Sequence, residues 1–244
     1  MTGTTEHETS APGQRARQLA IVVALAALLV GVAIAVSQGG NDETSPSDQV
    51  AQLGSLYDGI PQRGTELGDP DAPVAMIEFA DPQCPFCAQY AEDILPEIIE
   101  RYVRPGDLRL ELNLVTFIGA DSERLARMAL AAGEQDLMWQ YVDLVYGNQG
   151  AENSGYATDE FLRELADAVP GLNADQAFAD RDSAEVTDGL SAAQRSAERL
   201  GADSTPSFFT AVGSDEPEPL QVSALEPEEF TEQLGLLLPG GSGG

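Results

Sequence analysis

Apolar positions recur along the 244-residue chain at three different periods, and each period marks a different kind of element. The run "LAIVVALAALLVGVAIAV", residues 19–36, is uncharged throughout. As a helix rising about 1.5 Å per residue it would be roughly 27 Å long, close to the hydrocarbon thickness of a bilayer. Residues 37–61 then turn polar and rich in Gly, Ser and Asp, the composition of a flexible linker. After a Pro-rich turn, "VAMIEFA" at 74–80 is short, apolar and partly β-branched, as a buried strand is. From there Cys84, Cys87, Ala91, Ile94, Leu95, Ile98, Ile99 and Tyr102 follow at helical spacing, predicting an amphipathic helix over 84–103. Pro96 inside it predicts a kink. Within 107–117, Leu108, Leu110, Leu112 and Leu114 alternate with Arg109, Glu111 and Asn113, the period of a half-buried strand.

Beyond that strand the pattern is helical for some eighty residues. Helices are expected over 121–133, 134–147, 158–168, 173–180 and 183–200, with Asp121, Thr158, Asn173 and Ser183 as candidate caps. Strand character returns in "STPSFFTAV", 204–212, and again in "PLQVSA"; a closing helix spans 226–238, and the tail 239–244 is disordered by composition. The order predicts an α/β domain over 62–238. Its one sheet would carry an all-helical insertion, at about 119–202, between the second and third core strands. A single transmembrane helix would precede that domain. There is no internal repeat.

Charge sharpens the picture. Forty-one acidic residues face 12 basic ones, all arginine, for a net charge of −29. Such a chain repels polyanions, which excludes nucleic acid as a partner and otherwise serves solubility. Arg15 and Arg17 precede the apolar run, so residues 1–18 read as a cytoplasmic tail. The domain would then lie outside the cell membrane on a single-pass anchor at 19–36. Cleavage at the small residues Ala33 and Ala35 is the alternative, although the run exceeds the usual 7–15-residue signal core. Either route exports the domain to a compartment where disulfides persist.

The only two cysteines, Cys84 and Cys87, stand in "DPQCPFCAQY". A zinc site needs four ligands, and this chain has one cysteine pair and a lone histidine, His7, on the far side of the anchor. No metal and no cofactor are therefore expected. As a structural staple the pair would close a very short loop and constrain the unfolded chain little. Their position argues for redox chemistry. Cys84 falls where a strand ends and a helix begins, so free N–H groups and the positive dipole end favour its thiolate. Pro85 suits the first helical position, where no N–H is needed. Cys87, one turn on and facing inward, is placed to attack a mixed disulfide at Cys84 and release the partner.

Strand–CPFC–helix, a helical insertion, and "STP" before a strand some 120 residues later together resemble the DsbA-like branch of the thioredoxin superfamily over residues 62–238. The resemblance implies a cis bond at Thr205–Pro206, beside the disulfide, with Thr205 offering backbone to substrate. It also implies that Glu78, the charged residue in the apolar strand, is a partly buried acid beneath the cysteines that helps move a proton. A glutamate at a solvent-facing strand end is the other reading of Glu78. Strongly oxidising members carry CPHC, and this chain has Phe86 at the histidine position. Cys84 is therefore expected to be less acidic than in those members. Phe86 with Phe208 and Phe209 could form an apolar rim for unfolded substrate, a core role being open for the latter two.

The implied function is extracytoplasmic oxidation of exported proteins, with reoxidation by a membrane quinone-linked partner. A reductase or isomerase fed by a membrane electron donor is the alternative within the class. A non-catalytic binding module is the alternative outside it. No dimerisation segment is evident, so a monomer is expected.

Overall fold

The computed structural model describes residues 55–238. The expected cytoplasmic tail, the 19–36 anchor, most of the 37–61 linker and the 239–244 tail lie outside the described residues. Among the described residues no helix is long and apolar enough to cross a membrane.

Among the described residues, six strands form one sheet in the order β1-β2-β4-β3-β5-β6. β3 (Val74–Ala80) lies at its centre and is buried along its whole length, which accounts for its unbroken apolar run. It pairs in parallel with β4 (Leu108–Leu114) and antiparallel with β5 (Ser207–Val212). Side chains alternate across the strand, so Val74, Met76, Glu78 and Ala80 share one face while Ala75, Ile77 and Phe79 share the other. The first face meets α1 (Pro85–Asp93) and α8 (Pro227–Leu237), where the rings of Tyr90, Phe208 and Phe230 stack with centroids 4.6–5.3 Å apart. The second face, with Phe209 and Val115, is closed by Ala197 and Leu200 of α7 (Ala184–Leu200).

The helix expected over 84–103 is broken where Pro96 requires it. α1 stops at Asp93, Ile94 is irregular, α2 (Leu95–Ile98) restarts, and Ile99–Val103 form a π-helical turn. Pro96 offers no N–H, and its ring would press on the carbonyl four residues back, so the ladder cannot run through.

The insertion holds α3 (Ala120–Gly133), α4 (Met138–Gly147), α5 (Asp159–Ala168), α6 (Ala174–Asp180) and α7. Thr158, Asn173 and Ser183 cap their helices as expected, accepting from the N–H groups of Phe161, Gln176 and Val186 at 3.2, 3.1 and 3.2 Å. Asp121 does not cap. Gly119 holds that position, and Asp121 instead accepts from the Gly155 N–H at 2.8 Å, tying α3 to a distant loop. α4 starts four residues later than 134, because Asp136 takes a left-handed φ of 57° and its carboxylate accepts from the Gly64 N–H at 3.0 Å.

Three features differ from the sequence pattern. β1 (Gln62–Arg63) and β2 (Glu66–Leu67) form a short hairpin on the edge of β4, too brief to leave a period. β6 is only Glu218–Pro219, less than "PLQVSA" suggested. Packing also begins before residue 62. Tyr57 and Ile60 are buried, and the Arg104 guanidinium donates to the carbonyls of Leu56 and Asp58 at 2.8 and 2.9 Å. The stretch from Ser55 onward thus belongs with the domain rather than with a linker.

Candidate active site

Where β3 ends, Asp81–Gln83 turn the chain and deliver Cys84 to the helix N-cap. The Cys84 N–H donates to the Asp81 carbonyl at 2.9 Å, and Pro85 sits at the first helical position. Cys87 follows one turn later. Both thiols are free; Cys84 is 5% exposed and Cys87 is fully buried. Phe86, between them, is 59% exposed.

Across from Cys84 lies the loop before β5, where the Thr205–Pro206 bond is cis as the resemblance implied. The Cys84 thiol donates to the Thr205 carbonyl at 3.3 Å. That bond is lost on ionisation, yet the surroundings favour the anion. A hydrogen bond from the Cys87 thiol is the main cause, opposed by burial and assisted by the Thr205 side chain and the N–H groups of Cys87 and Phe86. Together they lower the Cys84 pKa to about 6. Cys87 is pushed the other way, well above the ordinary thiol range, first by burial and then by its bond to Cys84 and the nearby Glu78 charge.

Glu78 is 4% exposed, on the β3 face that meets α1. The buried reading of this residue is therefore the one the fold adopts. Burial, with the Cys84 charge behind it, raises its carboxyl to about 8, so it carries a proton at neutral pH. Phe208 corrects an expectation. It is 6% exposed and packs against Tyr90 and Phe230, so it belongs to the core and not to a substrate rim. Adjacent strand residues point to opposite faces, and β5 is covered on both, so Phe208 and Phe209 are each buried.

A polar scaffold behind the turn escaped sequence reasoning. The fully buried Asp81 accepts from the Gln83 N–H and the Ile118 N–H, each at 2.9 Å, and from the Ser122 hydroxyl. The Gln83 side chain donates to Ser122 at 2.8 Å and accepts from the Asn153 N–H at 2.7 Å. The Gln149 amide donates to the carbonyls of Pro82 and Cys84 at 2.9 and 3.2 Å. Glycine suits position 119, since its φ of 154° is one that residues with a Cβ rarely adopt and a Cβ there would press on the Asn153 side chain. Asp81 and Gln83 flank the cysteines and could have been suspected; nothing local marks Gln149 or Asn153. Among the described residues no group of three or more His, Cys, Asp or Glu could hold a metal ion.

A thiolate-stabilising helix N-cap, a buried second cysteine one turn on and a cis-proline loop opposite define a thioredoxin-type dithiol centre. The helical insertion places the fold in the DsbA-like group. Comparison with known proteins agrees: the family model described as thioredoxin matches residues 62–216, and the chain belongs to that family. A probable disulfide bond formation protein D from Bacillus anthracis is 32% identical over 127 residues, covering 49% of this chain and 57% of that protein. The chain thus spans little more than half the length of the curated relatives it matches. The crystal structure of oxidised BdbD from Bacillus subtilis superposes with a TM-score of 0.61 at 20% identity, over 72% of this chain and 95% of that one. That of Wolbachia pipientis alpha-DsbA1 also gives 0.61, at 21% identity over 71% and 89%. At these identities the two structures establish a shared fold.

Proposed function

We propose that the chain is an extracytoplasmic thiol–disulfide oxidoreductase that oxidises cysteines of exported proteins, tethered to the cell membrane by residues 19–36. The observation that carries this reading is the split between the two sulfurs: Cys84 is held as a thiolate and Cys87 as a thiol. Stabilising the thiolate stabilises the reduced protein, and a stabilised reduced form makes the disulfide a better oxidant. Lowering a thiol from 9.0 to about 6 favours the reduced state by at most about 1.4 kcal/mol at pH 7, and by less where solvent screens the sulfur. For a two-electron couple that ceiling corresponds to about 30 mV. The relatives named for disulfide bond formation point the same way.

In the reaction a substrate thiolate attacks Cys84 Sγ, the Cys84–Cys87 bond breaks, and Cys87 leaves, taking the proton that Glu78 carries. A second substrate thiolate then attacks the substrate sulfur of the mixed disulfide, and Cys84 departs as a stabilised thiolate. Two electrons pass to the pair, and a membrane quinone-linked partner would remove them. Phe86 offers the exposed apolar contact beside Cys84, and Thr205 offers backbone. Pro206 completes the wall of the substrate-facing loop.

The deciding measurement is the reduction potential of the pair, by equilibration with glutathione buffers. A value toward about −120 mV supports oxidation, and one near about −270 mV would make the protein a reductase. Cys84→Ser should abolish exchange with a disulfide substrate; activity that survived it would overturn the redox reading. A reporter fused at Gly244 should report an extracytoplasmic position, and a cytoplasmic signal would refute the proposed topology.

A further inference from the structure

Cys87 is fully buried and Glu78 almost so, yet the exchange chemistry moves a proton to and from them. Neither reaches solvent by itself. Beside Glu78 lies a cavity of about 10 Å³, room for about one water molecule. Tyr57, Glu78, Trp139, Asp143 and Tyr146 supply its polar lining. Residues 139, 143 and 146 fall at i, i+4 and i+7 on α4, so that helix turns one polar stripe toward Glu78. Two groups of this lining, Trp139 Nε1 and the Tyr146 hydroxyl, are buried with no hydrogen-bond partner in the protein. Donors of this kind in a water-sized cavity are what a bridging water satisfies. Asp143 lines the same cavity as Glu78. It is only half-buried, and its charged neighbour is the exposed Glu92 on α1.

We infer that Asp143 is the outlet of a proton path, linking Glu78 to solvent through one water held in this cavity. The inference rests on the disulfide-exchange reading of the site. When Cys87 leaves the disulfide, its sulfur gains the Glu78 proton. The Glu78 carboxylate takes a proton from the cavity water as that water takes one from Asp143, and Asp143 refills from solvent. No electrons move along this path. When Cys87 must ionise to re-form the disulfide, the same protons travel outward.

The groups facing Asp143 suit this role. They are Glu78 from β3, Tyr57 from the turn before β1, Glu92 from α1, and Trp139 and Tyr146 from its own helix; no arginine lines the cavity. Burial, aided by Glu92, raises Asp143 to about 7, near the value of about 8 at Glu78. A proton therefore passes between them with little cost in either direction. Asp143 touches no reacting sulfur and acts through Glu78.

The test is stopped-flow reduction of the oxidised full-length protein by dithiothreitol across pH 5–9, for wild type, Asp143→Asn and Asp143→Glu. Asp143→Asn should slow the reaction about tenfold near neutrality, less than the loss of a direct general acid. It should also remove the inflection near pH 7 attributable to Asp143. Thiolate absorbance at Cys84 should titrate unchanged, and Asp143→Glu should restore rate and profile. A purely structural role would not change the pH profile in this way. Rates and profile of Asp143→Asn that overlay wild type overturn the inference and leave the exchange reading intact. A wild type that does not exchange disulfides at all sinks the exchange reading instead. Should Asp143→Asn fail to fold, infrared difference spectra of wild type on reduction must show a second protonated carboxyl besides the one lost in Glu78→Gln; a single carboxyl band refutes the path.

Discussion

Ile77 and Phe79 point to one side of β3 and meet Phe209, Val115 and Ala197 and Leu200 of α7 in a wholly apolar contact. Glu78, between them in sequence, points to the other side, toward α1 and a cavity where tyrosine, tryptophan and carboxyl groups join Ala91, Leu95, Leu112 and Val142. All three residues are buried to a similar degree. The apolar side stabilises the domain. The Glu78 side also packs a large apolar core, but the buried carboxyl itself lowers stability at neutral pH, and under the proposed exchange function it holds the proton that the cysteines use. Burial alone thus says little about what a residue contributes; which face it lies on, and what lies opposite, decides.

This contrast can be broken in graded steps. The largest effect belongs to Glu78→Gln. The folded-state carboxyl lies at about 8 against an ordinary 4.5, so the folded wild type holds a proton that the unfolded chain releases. Wild type therefore loses stability as pH climbs from about 4.5 to 8, by at most about 5 kcal/mol. The variant should escape that loss, so denaturant titrations at pH 4.5 and pH 8 should show wild type falling relative to it. Its reaction with dithiothreitol should slow at the same time, on the order of 10²-fold. Phe79→Ala comes next. It should cost about 4 kcal/mol in chemical denaturation, through lost burial and a cavity, and leave the reduction potential where it was. A shift of potential in that variant would mean that the two faces are coupled.

Phe86→His is a smaller change on the polar side. A protonated imidazole beside Cys84 should lower its pKa further and raise the reduction potential by about 30 mV or more, read in glutathione buffers. The sign can be checked through stability. Thiolate ionisation favours the reduced form over the oxidised one fully above about pH 9, and the advantage disappears as pH falls through about 6. In the variant that lower limit should move to a more acidic value. Thr158→Ala, on a cap remote from both faces, should cost about 1 kcal/mol of stability and alter no redox property.

Much of this was legible because the relevant signals are local. The apolar run 74–80 matches β3 residue for residue, the leucine alternation locates β4, and three of four caps sit where Ser, Thr or Asn announces them. The cysteine pair declares its chemistry through the strand–helix junction. What stayed hidden depends on distance in sequence. Two adjacent phenylalanines in β5 give no sign of whether both faces are covered, so Phe208 could be read as rim or core. Gln149 and Asn153 reach the cysteine turn across 65 and 70 residues, by way of the insertion's packing. Asp143 reads as one more acid in an acidic chain until α4 turns it toward Glu78.

The scaffold of Asp81, Gln83, Ser122, Asn153 and Gln149 has a consequence for recognition. It clamps the cysteine turn from behind through hydrogen bonds that do not involve either sulfur. The turn is therefore expected to keep one shape whether or not the sulfurs are joined. Under the proposed function, a partner that had to distinguish the spent protein from the charged one would then have almost no difference in contour to read. What changes is a single negative charge at Cys84, and that charge is the message.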